Sequence, residues 1–129
     1  MGVTVTAEMV AAFQRDGVVL IPGLWADWVE DLRAGVARNM AEPGPYAAEN
    51  LKPGEGGRFF DDYCNWQRIP EFEQVIRESS VADVASRLMG SDYVQLFHDH
   101  VLVKEPGTAR ATPWHQDGPY YFVGGRQTV

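Results

Sequence analysis

The stretch Thr112-Pro113-Trp114-His115-Gln116-Asp117-Gly118-Pro119-Tyr120 decides how the rest of this sequence is interpreted. His115 and Asp117 are two residues apart, and residues i and i+2 of an extended strand point to the same face. An imidazole nitrogen and a carboxylate oxygen then lie side by side and can bind one divalent metal. With a later His they would form the 2-His-1-carboxylate arrangement of non-haem Fe(II) sites. For the tripeptide alone, a surface histidine hydrogen-bonded to an aspartate is the more common explanation.

The residues before this stretch add a second motif. The run Leu102-Val103-Lys104-Glu105-Pro106-Gly107 is followed by a short polar loop and then by Thr112-Pro113-Trp114-His115-Gln116-Asp117. This order resembles the phytanoyl-CoA dioxygenase family of Fe(II)/2-oxoglutarate-dependent oxygenases, in which a strand, Lys-x-Pro-Gly, a loop and Pro-x-His-Gln-Asp follow one another. The resemblance runs along most of the chain and corresponds to the N-terminal half of the family domain.

The resemblance implies an iron site in which His115 and Asp117 are the first two metal ligands. The same two residues are then the catalytic residues of this chain. In the family, the third ligand is a distal His, and an Arg further on binds the far carboxylate of 2-oxoglutarate. Both would lie beyond Val129, so we expect the site to be incomplete within these 129 residues.

The resemblance also assigns further residues of the pocket. It implies that 2-oxoglutarate lies near His100, Gln116 and Arg58, and that the substrate lies near His98, Trp114 and Lys104. Other interpretations stay open: the two histidines as polar residues in a roomy barrel interior, the tryptophan as a core aromatic, and the lysine as a solvated cation at a strand end.

The chemistry implied is hydroxylation of a small organic substrate with Fe(II), 2-oxoglutarate and O₂. Family halogenases replace the carboxylate ligand with a small residue, so Asp117 favours hydroxylation over halogenation. The family uses many substrates, and the sequence does not identify which one applies here.

Two alternatives compete with this interpretation. His98, His100 and Glu105 have the spacing of the first metal motif of cupins and would bind a metal by themselves. The chain is also compatible with an inactive truncated or split fragment, which would act only with a second chain or by self-association that completes the barrel.

Composition excludes several classes of partner. The net charge is −7 at pH 7, which argues against nucleic acid and against an anionic membrane, because both attract basic surfaces. No apolar run is long enough to span a bilayer, and the first residues lack the pattern of a signal peptide. Cys64 is the only cysteine, so we expect a reducing, cytoplasmic location without disulfides.

The local patterns predict a single α+β, mainly β domain over residues 1–129. We expect a double-stranded β-helix, or jelly roll, with a helical flank at 1–92 and core strands at 93–129. Asp61 and Asp62 would face opposite sides of a strand and not converge. Helices are predicted at 6–16, 26–40, 70–78 and 81–89, a loop at 42–57, and strands at 18–21, 93–105, around His115 and from 126 onward.

Overall fold

The computed structural model describes residues 4–122 and 124. This part of the chain combines four α-helices with a small antiparallel sheet. The elements in order are α1 (Ala7–Asp16), α2 (Val29–Ala41), β1 (Ala48–Glu49), β2 (Phe59–Tyr63), α3 (Pro70–Glu78), α4 (Val81–Met89) and β3 (His100–Lys104), with short 3-10 turns at Ala26–Trp28 and Gly118–Tyr120.

Local capping signals begin and end helix α1 where the sequence predicts. The Thr6 hydroxyl accepts a 3.3 Å hydrogen bond from the backbone N–H of Met9, as an N-cap residue does. Gly17 ends the helix in the left-handed conformation, with φ 72°, which costs glycine little because it has no Cβ. The predicted stripe of Met9, Val10 and Phe13 packs into a core cluster.

Helices α3 and α4 also form as predicted, with one difference at the start of α4. Pro70 occupies the first turn of α3, where its missing N–H costs nothing. Ser80 holds the N-cap position of α4 but makes no side-chain cap bond. The hydroxyl of Ser79 instead accepts from the N–H of Val81 at 3.3 Å.

The sheet has the order β1-β2-β3, and both pairings are antiparallel. Phe59 pairs with Lys104 and Tyr63 with His100, although two helices separate these strands in sequence. One face of β2–β3 therefore carries Tyr63, His100 and Lys104, and the other packs into the core. In the described residues the sheet does not close on itself, and a jelly roll is not confirmed.

Several predicted strands differ from the structure. Residues 18–21 belong to no strand: Leu20 is 83% exposed, whereas Val19 and Ile21 pack on a core cluster. The predicted strand at 93–105 is regular only at His100–Lys104, and residues around His115 form no strand. The predicted 42–57 loop contains the two residues of β1. The strand expected at 126–129 lies outside the described residues.

Two apolar clusters hold these elements together. The first joins α2 and α3 to the sheet and contains Phe60, Ile69, Phe72 and Val101. The second joins α1 to α4 and contains Val5, Val84 and Leu88. Burying each such large side chain contributes roughly 1.5–3 kcal/mol, so the sheet depends on α2 and α3 for its stability. Among the described residues, no helix has the length and apolar character needed to cross a bilayer.

Candidate metal and cosubstrate site

The side chains of His115 and Asp117 lie side by side, although their backbone is not a strand. Nε2 of His115 is 3.1 Å from Oδ1 of Asp117. Two ligand atoms that bind a divalent metal at right angles, each at about 2.1 Å, are separated from each other by about 3 Å. The spacing of this pair therefore fits two adjacent ligands of one metal ion.

The backbone at Pro113 orients the His115 ring. Nδ1 of His115 lies 2.7 Å from the carbonyl oxygen of Pro113. A carbonyl only accepts, so Nδ1 must carry the proton, and a neutral ring then presents the Nε2 lone pair to Asp117. A lone pair and a carboxylate oxygen at this distance repel each other unless a proton or a metal cation lies between them. A histidine that binds a metal usually has its other ring nitrogen held by a hydrogen bond of this kind.

The pair is accessible and supplies two donors. The His115 side chain is 43% exposed and that of Asp117 is 60% exposed. Within the described part of the chain, no group of three or more His, Cys, Asp or Glu side chains is arranged to hold a metal ion. By themselves, His115 and Asp117 offer a metal two ligand atoms, which is fewer than a closed metal site needs.

His98 and His100 lie among aromatic rings. The centroid of the His98 ring is 5.8 Å from that of Tyr63 and 4.8 Å from that of Phe97, both edge-on. The His100 ring is 5.7 Å from Tyr63, which stacks on Tyr46 at 4.9 Å. These rings form one partly exposed surface above β2 and β3.

Two consecutive tyrosines connect this surface to the His115 segment. The ring centroid of Tyr120 lies 6.2 Å from that of His115, and the centroid of Tyr121 lies 5.2 Å from that of His98. His115 and His98 therefore each lie beside one of two neighbouring tyrosines.

The cupin-type set does not come together. His100 begins β3, and Glu105 follows its last residue. Five residues of extended chain, at about 3.3 Å each, separate them by about 16 Å. His98, His100 and Glu105 are all among the described residues, and they form no metal-binding group.

Lys104, expected near the substrate, reaches the loop that precedes His115. Its Nζ donates to the carbonyl oxygen of Arg110 at 3.1 Å and to the hydroxyl of Thr112 at 2.8 Å. It also lies 4.5 Å from the centroid of the Phe59 ring. The lysine therefore joins the end of β3 to the segment that carries the metal pair.

Arg58, expected near 2-oxoglutarate, pairs with a carboxylate. Its Nε donates to Glu49 on β1, and its guanidinium carbon lies 5.0 Å from the centroid of the Phe60 ring. Binding of an anion by Arg58 would thus compete with Glu49.

Trp114 and Gln116 flank His115 and are both exposed. The Trp114 side chain is fully exposed, so its interpretation as a core aromatic does not hold for this structure. Gln116 lies in the same exposed segment. Their expected contacts with substrate and with 2-oxoglutarate remain predictions.

Sequence reasoning missed a buried polar network beneath β2. As predicted, Asp61 and Asp62 face opposite ways: Asp61 accepts from Asn50 at 2.6 Å, whereas Asp62 is completely buried. Oδ2 of Asp62 accepts from the side chain of Asn39 at 2.8 Å and from the N–H of Gly44 at 2.7 Å. The only feature of the sequence that could have indicated this network is an aspartate within a strand-like segment rich in aromatic residues.

This network determines the charge state of Asp62. Burial raises the pKa of its carboxyl group, but hydrogen bonds from the Gly44 backbone and from Asn39 and Asn65 lower it more. The N–H of Tyr63 adds a further lowering. The pKa of Asp62 therefore lies below its usual value, and the buried group is a carboxylate at neutral pH.

A second carboxylate organises the turn that follows β2. Asp99 accepts from the backbone N–H groups of Asn65 and Trp66, each at 2.9 Å. It lies between His98 and His100 in sequence, so the same turn fixes the chain on which both histidines lie.

Comparison with known proteins agrees with the motif order. The profile of the phytanoyl-CoA dioxygenase (PhyH) family matches residues 13–129. Searches of curated proteins and of solved structures find no match to the chain. The matched range covers nearly the whole chain and includes the Lys104 motif, His115 and Asp117; the chain belongs to the phytanoyl-CoA dioxygenase family.

Proposed function

We propose that this chain contributes to a non-haem Fe(II)/2-oxoglutarate-dependent dioxygenase that hydroxylates a small organic substrate within a jelly-roll fold. The observation that carries the proposal is the placement of His115 Nε2 3.1 Å from Asp117 Oδ1, with Nδ1 held by the Pro113 carbonyl. Family membership supplies the class of chemistry.

His115 and Asp117 supply an imidazole nitrogen and a carboxylate oxygen on one side of the metal. Iron bound there would activate O₂ together with 2-oxoglutarate. The Pro113 carbonyl keeps the His115 ring in the tautomer that can bind, and Asp117 adds negative charge that favours a divalent cation. The third ligand of a family site, a histidine distal to this motif, would come from outside these 129 residues, since no histidine follows Asp117 in them.

A second possibility is that the chain acts only with a partner, by self-association or with another polypeptide. The observation that favours it is the exposure of the site segment, where Trp114 is fully exposed beside His115. Further protein covering this segment would exclude water from the reaction.

The first test is metal binding at His115, which needs no complete site. The chain has three histidines, so their imidazole NMR signals are separable and can be assigned with His→Ala variants. Added Mn²⁺ should broaden the His115 signals, and Asp117→Asn should weaken the effect, whereas Asp92→Asn serves as an exposed control. Broadening centred on His98 and His100 would favour a cupin-like site and contradict the proposal.

The second test is conversion of 2-oxoglutarate to succinate by the full chain with Fe(II). Turnover that is abolished by His115→Ala supports the proposal that the chain is an enzyme. Mn²⁺ binding at His115 without turnover supports the partner-dependent form. The absence of both contradicts the proposed function.

A further inference from the structure

Lys104 connects the regular sheet to the irregular segment that carries the metal pair. The residue ends β3 and is fixed there by its pairing with Phe59. Its ammonium donates to Arg110 O at 3.1 Å and to Thr112 Oγ1 at 2.8 Å, and it lies above the Phe59 ring. An ammonium has three donors, and two of them are used in these hydrogen bonds.

The chain between this anchor and His115 is stiff. Pro113 fixes its own φ near −65°, and a residue that precedes proline, here Thr112, is restricted to extended conformations. Holding Thr112 therefore limits where the Pro113 carbonyl can point. That carbonyl accepts from Nδ1 of His115 at 2.7 Å, so the restriction reaches the imidazole ring.

Other contacts hold the start of the same loop. Thr108 donates to the carbonyl oxygen of Arg58 at 3.1 Å, and Arg110 pairs with Glu55 at 3.3 Å. Of these anchors, the bond from Lys104 to Thr112 lies closest in sequence to His115. Without the lysine side chain, the loop would still be held at Thr108 and Arg110. It would lose its contact nearest to His115.

We propose that Lys104 is a positioning residue for the metal site. By holding the Arg110 carbonyl and the Thr112 hydroxyl, it places the Pro113 carbonyl and thereby aligns His115 with Asp117. The part of this inference that concerns metal rests on the proposed function. The part that concerns the loop and the His115 ring does not.

Trypsin cleavage after Arg110 tests the loop without any metal. The carbonyl that Lys104 holds belongs to the Arg110–Ala111 peptide bond, and a protease must draw that bond into its own site. Lys104→Met should speed cleavage about two- to fivefold, the scale of one lost exposed charged contact. Lys52→Met is the matched control, because Lys52 is the other lysine of the chain and lies in an exposed loop.

The ¹⁵N shifts of the His115 ring test the alignment directly. The native chain should show the tautomer with Nδ1 protonated, and Lys104→Met and Thr112→Val should shift the ring toward a mixture of tautomers. Lys104→Arg and Thr112→Ser keep the donor and the hydroxyl and should restore the native spectrum. In Lys104→Met, the Mn²⁺ concentration that half-broadens His115 should rise about two- to fivefold, again the scale of one exposed charged contact.

The outcomes separate the two proposals. Unchanged cleavage and unchanged His115 shifts in Lys104→Met would overturn the positioning role, as would equal effects in Lys52→Met. If the native chain shows no Mn²⁺ effect at His115, the proposed metal site fails, while cleavage and ¹⁵N shifts still decide the role of Lys104.

Discussion

Asn39 on helix α2 donates a 2.8 Å hydrogen bond to the carboxylate of Asp62 on strand β2, and both side chains are completely buried. The amide oxygen of Asn39 is buried without a partner among the described residues. The contact with Asp62 therefore sets the orientation of the amide. This pair joins the helix to β2, the central strand of the sheet, whose other face carries Tyr63 and His100.

Replacing Asp62 with asparagine should destabilise the fold by about 1–3 kcal/mol. The new amide would direct its N–H groups toward the N–H donors of Asn39 or Gly44. A buried donor without an acceptor destabilises the folded state by its full desolvation penalty. Urea unfolding measures the effect. Asp61→Asn is the matched control on the same strand, since Asp61 is partly exposed. An equal loss in both variants would show that the buried network is not the cause.

The Asp62 carboxylate should also make stability depend on pH. Its folded pKa is lowered, whereas the unfolded value is near 3.8. The unfolded chain then binds the proton more readily, so the contribution is fully present above about pH 3.8 and is lost as pH falls through the folded pKa. The difference in unfolding free energy between the native chain and Asp62→Asn should shrink below that pH. A constant difference from pH 7 to pH 2 would contradict the assignment.

Gly44 should not tolerate a side chain. A Cβ there would overlap the side-chain oxygen of Asn65 and lie 3.0 Å from Oδ2 of Asp62. Gly44→Ala should therefore cost about 1–3 kcal/mol, as overpacking does, and lower the midpoint of thermal unfolding. Gly56→Ala is the control, because its Cβ would meet its nearest neighbour at an ordinary 3.6 Å. Equal stability of the two variants would argue against the close approach.

Arg58 and Glu49 should act in opposite directions on 2-oxoglutarate binding. Arg58, just before β2, pairs with Glu49 on β1, so Glu49 competes with an anion for the guanidinium. If Arg58 contacts 2-oxoglutarate as expected, Arg58→Ala should weaken binding and Glu49→Gln should strengthen it. Each change should be about two- to fivefold, the scale of an exposed ion pair. Titration calorimetry measures both, and weakening by both variants would indicate that the pair serves only to hold β1.

The site was partly predictable because its residues are close in sequence. His115 and Asp117 are two residues apart, and the structure places them together. The reason differs from the predicted one: the pair lies on an exposed irregular segment, and Pro113 orients the ring. The contact from Lys104 to Thr112 joins residues eight positions apart, and no periodic pattern marks such a contact.

The sequence by itself determined the helices, because their signals are local. Thr6 and Gly17 bound α1, Pro70 opens α3, and apolar residues repeat at helical spacing. Tertiary structure alone decided which extended segments became strands. Residues 18–21 have strand composition yet stay unpaired, whereas Phe59–Tyr63 becomes the central strand. Strand pairing and burial of Asp62 depend on partners distant in sequence, whose hydrogen bonds exist only once α2, α3 and β3 have packed together.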